Sequence, residues 1–536
     1  MSMDRRSFLK GAAMTGIGAM TFAPIAATAN EAAAENVPAY RAKPAPITDD
    51  QISETFEADV VVVGLGNAGV MATATLVENG ASVIVLQKTD GVLTHGAVFA
   101  AIGSKKQKEM GVEQDGWELI GHLNRGSGVN NGKWEVMKAW LDYSGNMADY
   151  ILDRYASTDL GPWIVDVAGE PSEPWNKGYS CTHIALGRKE GLGKMWTLSN
   201  QIFNDVCAEG NVDVHFETPA VQLRQDEDGR VVGVIGQQAD GSYILCKATK
   251  GVILAAGGYE QNLEMRHEFL PMADGLPAGF SRPNTNMGDG ILMGMWAGGL
   301  IQQGPHGSSA HYDIGGLSIN GTIVPFLRVN KYGERFSNED VAYHAIWVQD
   351  AHQPGHMHYQ IFDDNYAEDV PNMGEGMTLL GDWATMIPQA VEDGYVIKAD
   401  TLEELAQAID VPVDNFVATV ARYNELAEGN YDYEPDFGKL GYKVKKIAKA
   451  PFYAAPRIAY VMNTLGGLEI DGNMQVLDAE FKPIPGLFAA GNNSGCFFGG
   501  IYQDMSVPGM SVGRALLTGR VAAWRALGLV GAGEQA

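Results

Sequence analysis

The sequence predicts an α/β protein in which a parallel-sheet nucleotide-binding domain is interrupted by an inserted α+β capping domain. Three observations predict it. The apolar run Val60–Val63 enters the pattern Gly64-x-Gly66-x-x-Gly69, and a helical stretch through Leu76 leads to a second apolar run, Val83–Leu86. Continuous apolar runs of this length suit strands buried on both faces, so the stretch reads as a βαβ unit. A later run, KGVILAAGGYEQN, passes straight into Gly257-Gly258. From Ala459 the same texture returns: a glycine-rich turn, a strand GLFAAGN and a final helix from about Gly509. The nucleotide domain is therefore Rossmann-like and split, with 56–298 as its first part, 299–450 as the cap and 451–530 as its second part.

The elements follow in order. Arg5 and Arg6 precede Ser7-Phe8-Leu9-Lys10, a short apolar run and Ala27-Thr28-Ala29, a small-x-small cleavage pattern. The run is too short and too rich in small residues to span a bilayer, so 1–29 reads as a twin-arginine export signal and places the protein in the periplasm or cell envelope. Residues 30–55 are rich in Ala, Pro and acidic groups and read as a linker. Within the cap, TLEELAQAIDVPVDNFVATVARYNELAEG reads as two amphipathic helices.

A chain of 536 residues exceeds what one core comfortably supports, so two or more domains are expected. Its formal net charge is -27; Arg5, Arg6 and Lys10 against Asp4 give the leader +2, leaving -29 on the rest. Such a chain repels phosphates and is not a nucleic-acid binder. No segment outside the leader is apolar enough to cross a membrane. Cys181, Cys207, Cys246 and Cys496 form no C-x-x-C, no haem-attachment motif and no ferredoxin-like run, so neither a cluster nor c-type haem is indicated.

The glycine motif sits between strand and helix, the context that makes it informative. Gly64 allows the tight turn, Gly66 the approach of backbone N–H groups to a pyrophosphate, and Gly69 close helix–strand packing. The second strand of such units usually ends in an acidic residue that bonds the ribose. Gln87 stands there, followed by Lys88; an amide oxygen still accepts a hydroxyl hydrogen bond.

VILAAGGYEQN, NMGDGILMGMWAGG, LRVNKYGERFSNED, NTLGGLEID, PGLFAAGN and PGMSVGRALLTGRVAA resemble, in this order, the fumarate reductase/succinate dehydrogenase flavoprotein family, which includes the 3-ketosteroid dehydrogenases. The resemblance runs from about residue 58 to 525. It implies FAD and hydride chemistry on a carbon–carbon bond, and it explains export of a folded protein, since FAD must be acquired in the cytoplasm. It places Gly64, Gly66, Asn67, Ala68 and Gly69 at the pyrophosphate, Gln87 and Lys88 at the ribose, and Thr94 and His95 beside the ribityl and ring. Val221 would meet the adenine through its backbone, Ala256 and Gly257 would close the pocket, and Asp289 of GDG follows. Gly491 and Asn492 would contact the ribityl, where many relatives have glutamate. Ser511 and Val512 begin the last helix, whose amides would face the N1–C2=O edge and favour the reduced flavin. His95 has the spacing of the histidine that carries covalent FAD in membrane-bound fumarate reductases. Its flanking residues differ, which favours a noncovalent contact over a covalent bond.

The active-site positions depart from the dicarboxylate pattern. In carboxylate-reducing members an arginine follows the RF-x-N-E signature; after Arg335-Phe336-Ser337-Asn338-Glu339 that position is Tyr343. A histidine before T-x-G-G becomes Asn463, and a second arginine, before the glycine that opens the last helix (Gly509), becomes Ser506 or Val507. A carboxylate entering a dry pocket needs fixed cations or paired donors, and three such groups are absent together. Tyr343 and Tyr502 match tyrosines of the ketosteroid dehydrogenases instead, and a phenol suits a carbonyl, enone or phenol substrate. The alternative reading of each is a core or rim aromatic, which weighs more against Tyr343 than against Tyr502. His306, His311 and His344 read as structural, as does Arg335 bonding across its own turn, and Met293, Met295 and Trp296 as core.

The resulting expectation is an exported FAD-dependent ene-reductase of a neutral enone, steroid-like or phenylpropanoid-like substrate. Tyr343 would act as proton donor, Tyr502 would polarise the carbonyl, and Asn463, Ser506 and Gly509 would line the substrate. The alternatives are a reductase of an unsaturated carboxylate, a 3-ketosteroid dehydrogenase, and a flavin electron carrier without turnover. With one evident dinucleotide site and no haem or cluster ligands, electrons would come from an external haem protein or a quinol-linked membrane partner.

Overall fold

The structure is a computed structural model that describes residues 38–96, 98–126, 132–155, 160–167, 177–186, 194–279, 281–311, 324–341, 343–373, 383–502, 506–531 and 534–535. The expected export signal, 1–29, lies outside these residues. The chain divides into Met1–Pro44, of which the described part forms one helical turn at Ala39–Arg41, and Ala45–Ala536.

The larger unit is organised on an eight-stranded sheet. Five strands are parallel, in the order Pro483–Ala489, Tyr243–Leu254, Ile52–Val63, Val83–Leu86 and Val212–His215. Val60, Val61 and Val62 have no exposure, as expected of a central strand covered on both faces. That strand starts at Ile52, inside the stretch 30–55 expected as linker. Its first half carries Ser53, Glu54 and Thr55 outward to solvent, which removed the apolar signal although the residues pair with Tyr243–Leu245. Helix Asn67–Glu78 follows the glycine turn, and the last helix, Met510–Ala526, packs across it. A Cβ on Gly519 would overlap the Ala68 carbonyl oxygen, so the two helices touch backbone to backbone there.

A second, four-stranded sheet has the order Leu327–Val329, Met357–Asp363, Phe452–Ile458 and Ile397–Ala399, all antiparallel. Its last strand in sequence lies just past residue 450. One face packs Leu327, Val329 and Ile361 against the two amphipathic helices, which form at Leu402–Ala408 and Val413–Glu428. Thr401 and Glu404 start the first of them with a capping box. The other face packs Phe326, Phe362 and Tyr453. A two-stranded ladder, Ser308–His311 with Tyr460–Thr464, lies between the two sheets in sequence.

Candidate active site

The glycine turn divides its three glycines by cause. Gly64 has φ +98°, and a Cβ there would lie 2.6 Å from the Ala255 carbonyl oxygen. A Cβ on Gly69 would overlap the Gly64 carbonyl oxygen. Gly66 is different: its nearest neighbour would be the Leu93 carbonyl oxygen at 3.7 Å, an ordinary contact. Nothing in the protein itself demands glycine there. Gly66 is also the N-cap of helix Asn67–Glu78 and supplies no side-chain cap, so the amino-terminal N–H groups of Asn67, Ala68 and Gly69 are left for an anion.

Asn67 is committed to the fold. Its Nδ2 donates to the His95 carbonyl at 3.1 Å and its Oδ1 accepts from Ser199 Oγ at 3.0 Å, tying the helix start to the 94–96 loop. In that loop Thr94 Oγ1 is buried without a hydrogen-bond partner. His95 is held below its ordinary pKa by burial, so its imidazole is neutral near pH 7. A Cβ on Gly96 would lie 2.6 Å from Val512 Cγ2, which brings the loop against the start of the last helix.

Gln87 braces the turn. Its Oε1 accepts from the Leu65 N–H at 3.1 Å, and its Nε2 donates to Thr89 Oγ1 and the Gly91 carbonyl at 2.8 and 2.7 Å. One lone pair of Oε1 remains for a ribose hydroxyl. Lys88 pairs with Asp289 at 2.9 Å, joining two residues that the sequence assigned separately. Arg282 pairs with Asp90 at 2.8 Å beside them. Val221 falls at a register shift between Ala220 and Gln222, so it is a bulged residue outside the ladder pairing, as a backbone contact to a base requires.

The far wall is pinned by a residue that sequence reasoning missed. Asn493 is fully buried; its Oδ1 accepts from the Ala256 N–H at 2.6 Å and its Nδ2 donates to the Gly257 carbonyl at 2.7 Å. A Cβ on Gly290 would strike the same amide. The signal was present in GNNSG, where Asn492 was chosen and its neighbour does the fastening. Gly491, with φ +58°, donates its N–H to Thr518 Oγ1 at 2.9 Å, and its carbonyl accepts from Arg514.

Gly509 is the left-handed N-cap of the last helix. Its carbonyl accepts from the Ala100 N–H at 3.0 Å. Tyr502 is buried, and its hydroxyl oxygen accepts from the Ser511 N–H at 3.1 Å. The Ser511 N–H is thus directed to Tyr502 at the start of this helix. The reason is that a phenol beside a helix start is a ready acceptor for an orphan N–H.

Of the residues expected to line the substrate, Asn463 accepts at Oδ1 from the Ser309 N–H at 3.4 Å, and its carbonyl accepts from Ser308 Oγ at 2.9 Å. Its neighbour Thr464 accepts the Tyr259 N–H at 2.9 Å, so this strand is fastened to the Gly257–Gly258 loop. The Ser506 carbonyl accepts from the Tyr179 N–H at 2.9 Å. Tyr343 is the first residue of helix Tyr343–Ala351; its side chain, like those of His311 and His344, lies outside the described residues. The signature before it forms a buried ion network. Arg335 grips Glu339 through two bonds of 2.8 Å and reaches Glu434 at 2.9 Å, and Lys439 lies 3.4 Å from Glu339. Arg335 is thus structural, with Tyr423 and Phe437 under its guanidinium. His306 is structural too: Nδ1 faces Tyr259 Oη at 2.6 Å and Nε2 faces the Gln302 carbonyl at 2.8 Å.

The FAD binding domain family matches residues 59–507. The chain belongs to the fumarate reductase/succinate dehydrogenase flavoprotein family. It is 31% identical to an NADH:acrylate oxidoreductase of Vibrio harveyi over 89% of the chain, spanning about half (51%) of that protein. It is 28% identical to a vinyl phenol reductase of Lactiplantibacillus plantarum, covering 86% of the chain and 94% of that protein. Its fold matches the open conformation of a flavocytochrome c3 fumarate reductase with a TM-score of 0.70 at 23% identity, over 92% of this chain and 82% of that one.

This flavoprotein is an FAD-dependent oxidoreductase acting on carbon–carbon bonds, and its own residues fit the cofactor. The uncrowded Gly66, the uncapped helix start, the unpartnered Thr94 hydroxyl and the bulged Val221 are features that a bound dinucleotide satisfies. Among the described residues no group of three or more His, Cys, Asp or Glu side chains is placed to hold a metal ion.

Proposed function

We propose that this flavoprotein is an exported reductase of an activated carbon–carbon double bond in a neutral, conjugated substrate, an enone or an aromatic alkene. The observation that carries the reading is the Tyr502 hydroxyl on the Ser511 N–H. Accepting the Ser511 N–H holds the phenol at the start of the last helix, where its hydroxyl can polarise a substrate carbonyl. Residues of the glycine turn, Gln87, Thr94, Gly491 and Val512 hold FAD, which supplies the hydride at its N5 position. Tyr343, at the amino end of helix Tyr343–Ala351, gives the proton to the α-carbon. Asn463 and Ser506 line the substrate with neutral groups, so a dicarboxylate finds no fixed cation at these positions.

The name of the Vibrio relative favours a second reading, an unsaturated carboxylate; that of the Lactiplantibacillus relative favours a vinyl phenol, nearer to the first. Anaerobic reoxidation of the reduced protein by 4-vinylphenol, steroid enones, acrylate and fumarate separates them. Tyr343→Phe should keep flavin and slow reoxidation by ~10²–10⁴-fold, the usual worth of a general acid. Fumarate or acrylate reacting as fast as any neutral alkene, or full activity of Tyr343→Phe, overturns the reading.

Export follows the twin-arginine route: Arg5→Lys with Arg6→Lys should leave flavin-loaded precursor in the cytoplasm. Electrons come from an external haem protein or a quinol-linked membrane partner, which a surface of this acidity would meet through a basic face. Efficient turnover with NADH alone would rule that donor class out. The capping domain of 299–450 is the unit that covers the substrate.

A further inference from the structure

Beneath helix Tyr343–Ala351, one face of the four-stranded sheet carries a row of polar side chains. The strand register sets Arg328 opposite Gln360, and His358 opposite Arg457, so all four share a face. Asp350 meets them from the helix. All five have no exposure. Most of the row is bonded within itself: Arg457 donates from Nε and Nη2 to Gln360 Oε1 at 3.3 and 3.0 Å, Gln360 Nε2 donates to the Val324 carbonyl at 2.8 Å, and His358 Nδ1 faces Asp350 Oδ1 at 2.8 Å. Arg328 is the exception. Its Nε, Nη1 and Nη2 all lack a hydrogen-bond partner.

Counting charges isolates it further. The adjoining network is balanced, with Arg335 and Lys439 against Glu339 and Glu434. Lys443 is paired with Asp340. In the row itself Asp350, bonded to His358, is the one carboxylate against the two guanidinium groups of Arg328 and Arg457, while burial holds His358 below its ordinary pKa. Among the described residues, one positive charge with five unused donors is left over in a region without solvent. A buried guanidinium in that condition is among the costliest groups a fold can hold, and such groups are normally completed by an ion or ordered water. Water satisfies donors without cancelling charge; a monovalent anion does both. Complete burial limits the occupant to a small one and separates it from any substrate carboxylate.

We propose that Arg328 anchors a buried site for a small monovalent anion, of the halide class, between the four-stranded sheet and helix Tyr343–Ala351. The groups around it are Arg328, Arg457, Gln360 and His358 from the sheet, Asp350 from the helix, and Glu339, which accepts from the Arg328 backbone N–H at 3.4 Å and is held below its ordinary pKa in part by the Arg328 charge. The Phe336 ring lies 6.3 Å from that of His358. Bound there, the anion fastens the helix that begins with Tyr343.

The test is anomalous diffraction at the bromine edge from holoprotein purified and crystallised with bromide replacing chloride. The expected result is one buried bromide in contact with the Arg328 guanidinium. A water joining Arg328 to the unpartnered Asp350 Oδ2, or direct contact of those two side chains, overturns the proposal. In solution, thermal unfolding is compared in bromide and in gluconate at equal ionic strength. Above its dissociation constant, each tenfold rise in bromide should raise the folding constant of the wild type tenfold. Arg328→Met should lose that dependence; an equal response in both proteins refutes the site. If Arg328→Met does not fold, the bromide map alone decides.

Discussion

The nucleotide turn and the hub of the four-stranded sheet solve the same problem with opposite means. At residues 64–69 geometry is fixed by main chain against main chain: the Gly69 position meets the Gly64 carbonyl, and the Gly64 position meets the Ala255 carbonyl. At the hub it is fixed by side-chain charge. Arg335, Glu339, Glu434 and Lys439 converge from segments about a hundred residues apart and are almost wholly buried. A backbone solution tolerates almost no substitution and writes itself as a short motif. A charge solution spreads over the sequence and leaves one visible fragment, the RF-x-N-E signature.

The sharpest way to break the comparison is at Gly69. Gly69→Ala pushes a methyl into the Gly64 carbonyl, and backbone cannot yield as a flexible side chain does. We expect flavin to be lost together with several kcal/mol of stability, on the order of what overpacking or backbone strain costs at its upper end. Gly66 separates ligand from fold. Gly66→Asp should abolish flavin binding, read as the 450 nm absorbance per protein, while the apoprotein keeps its circular dichroism. Loss of fold in Gly66→Asp, or a flavin-bound Gly69→Ala, would invert the assignment of the two glycines.

At the hub the expected loss is smaller but still large. Glu339→Gln leaves Arg335 and Lys439 with one carboxylate between them. Breaking a buried pair from one side typically costs ~3–5 kcal/mol. Denaturant unfolding should show that loss while flavin stoichiometry stays near its wild-type value, because the cradle is built elsewhere. An effect below 1 kcal/mol would mean that water reaches the pair.

Two buried histidines give a pH test of about 3 kcal/mol each at the acid limit. His183 and His306 are both pushed down to about 4 by burial. Each is bonded as a neutral ring: His183 between the Cys181 carbonyl and Ser104 Oγ, His306 between the Gln302 carbonyl and Tyr259 Oη. Their folded pKa values lie below the unfolded value near 6.5, so the unfolded chain binds more protons between pH 4 and 6.5. Stability contributed by the neutral rings is therefore complete above pH 6.5 and is lost as pH falls toward 4. His306→Gln should remove about one proton from the slope of stability against pH in that window. An unchanged slope would show that His306 is not buried as a neutral ring.

This contrast also explains what was legible in the sequence. The split Rossmann-like domain, the tight turn at Gly64, the close packing at Gly69 and the last helix were legible because each is local: a strand, a turn and a helix within thirty residues. Arg335 bonding across its own turn was legible for the same reason. Asn493, Gln87 as a brace of the turn, the Tyr502 contact with Ser511 and the unpaired Arg328 were not, because each depends on a partner set by tertiary packing. The first strand's start at Ile52 was hidden because its first half is polar and mostly exposed, with neither the alternation nor the continuous apolar run that marks a strand.

The smallest effect closes the comparison, since it places a charge pair on the nucleotide side. Lys88 and Asp289 sit 2.9 Å apart, as close as the Arg335–Glu434 contact, but their side chains are 36% and 37% exposed, against 7% and 0% for that pair. Water and salt screen the first and not the second. A double-mutant cycle with Lys88→Met and Asp289→Asn should therefore return a coupling of only ~0.2–1 kcal/mol, falling further in high salt. The same cycle at Arg335 and Glu434 should return a larger coupling that salt barely changes. If the two cycles agree within error, burial does not separate the two regions, and the hub is held by its aromatic packing on Tyr423 and Phe437 rather than by charge.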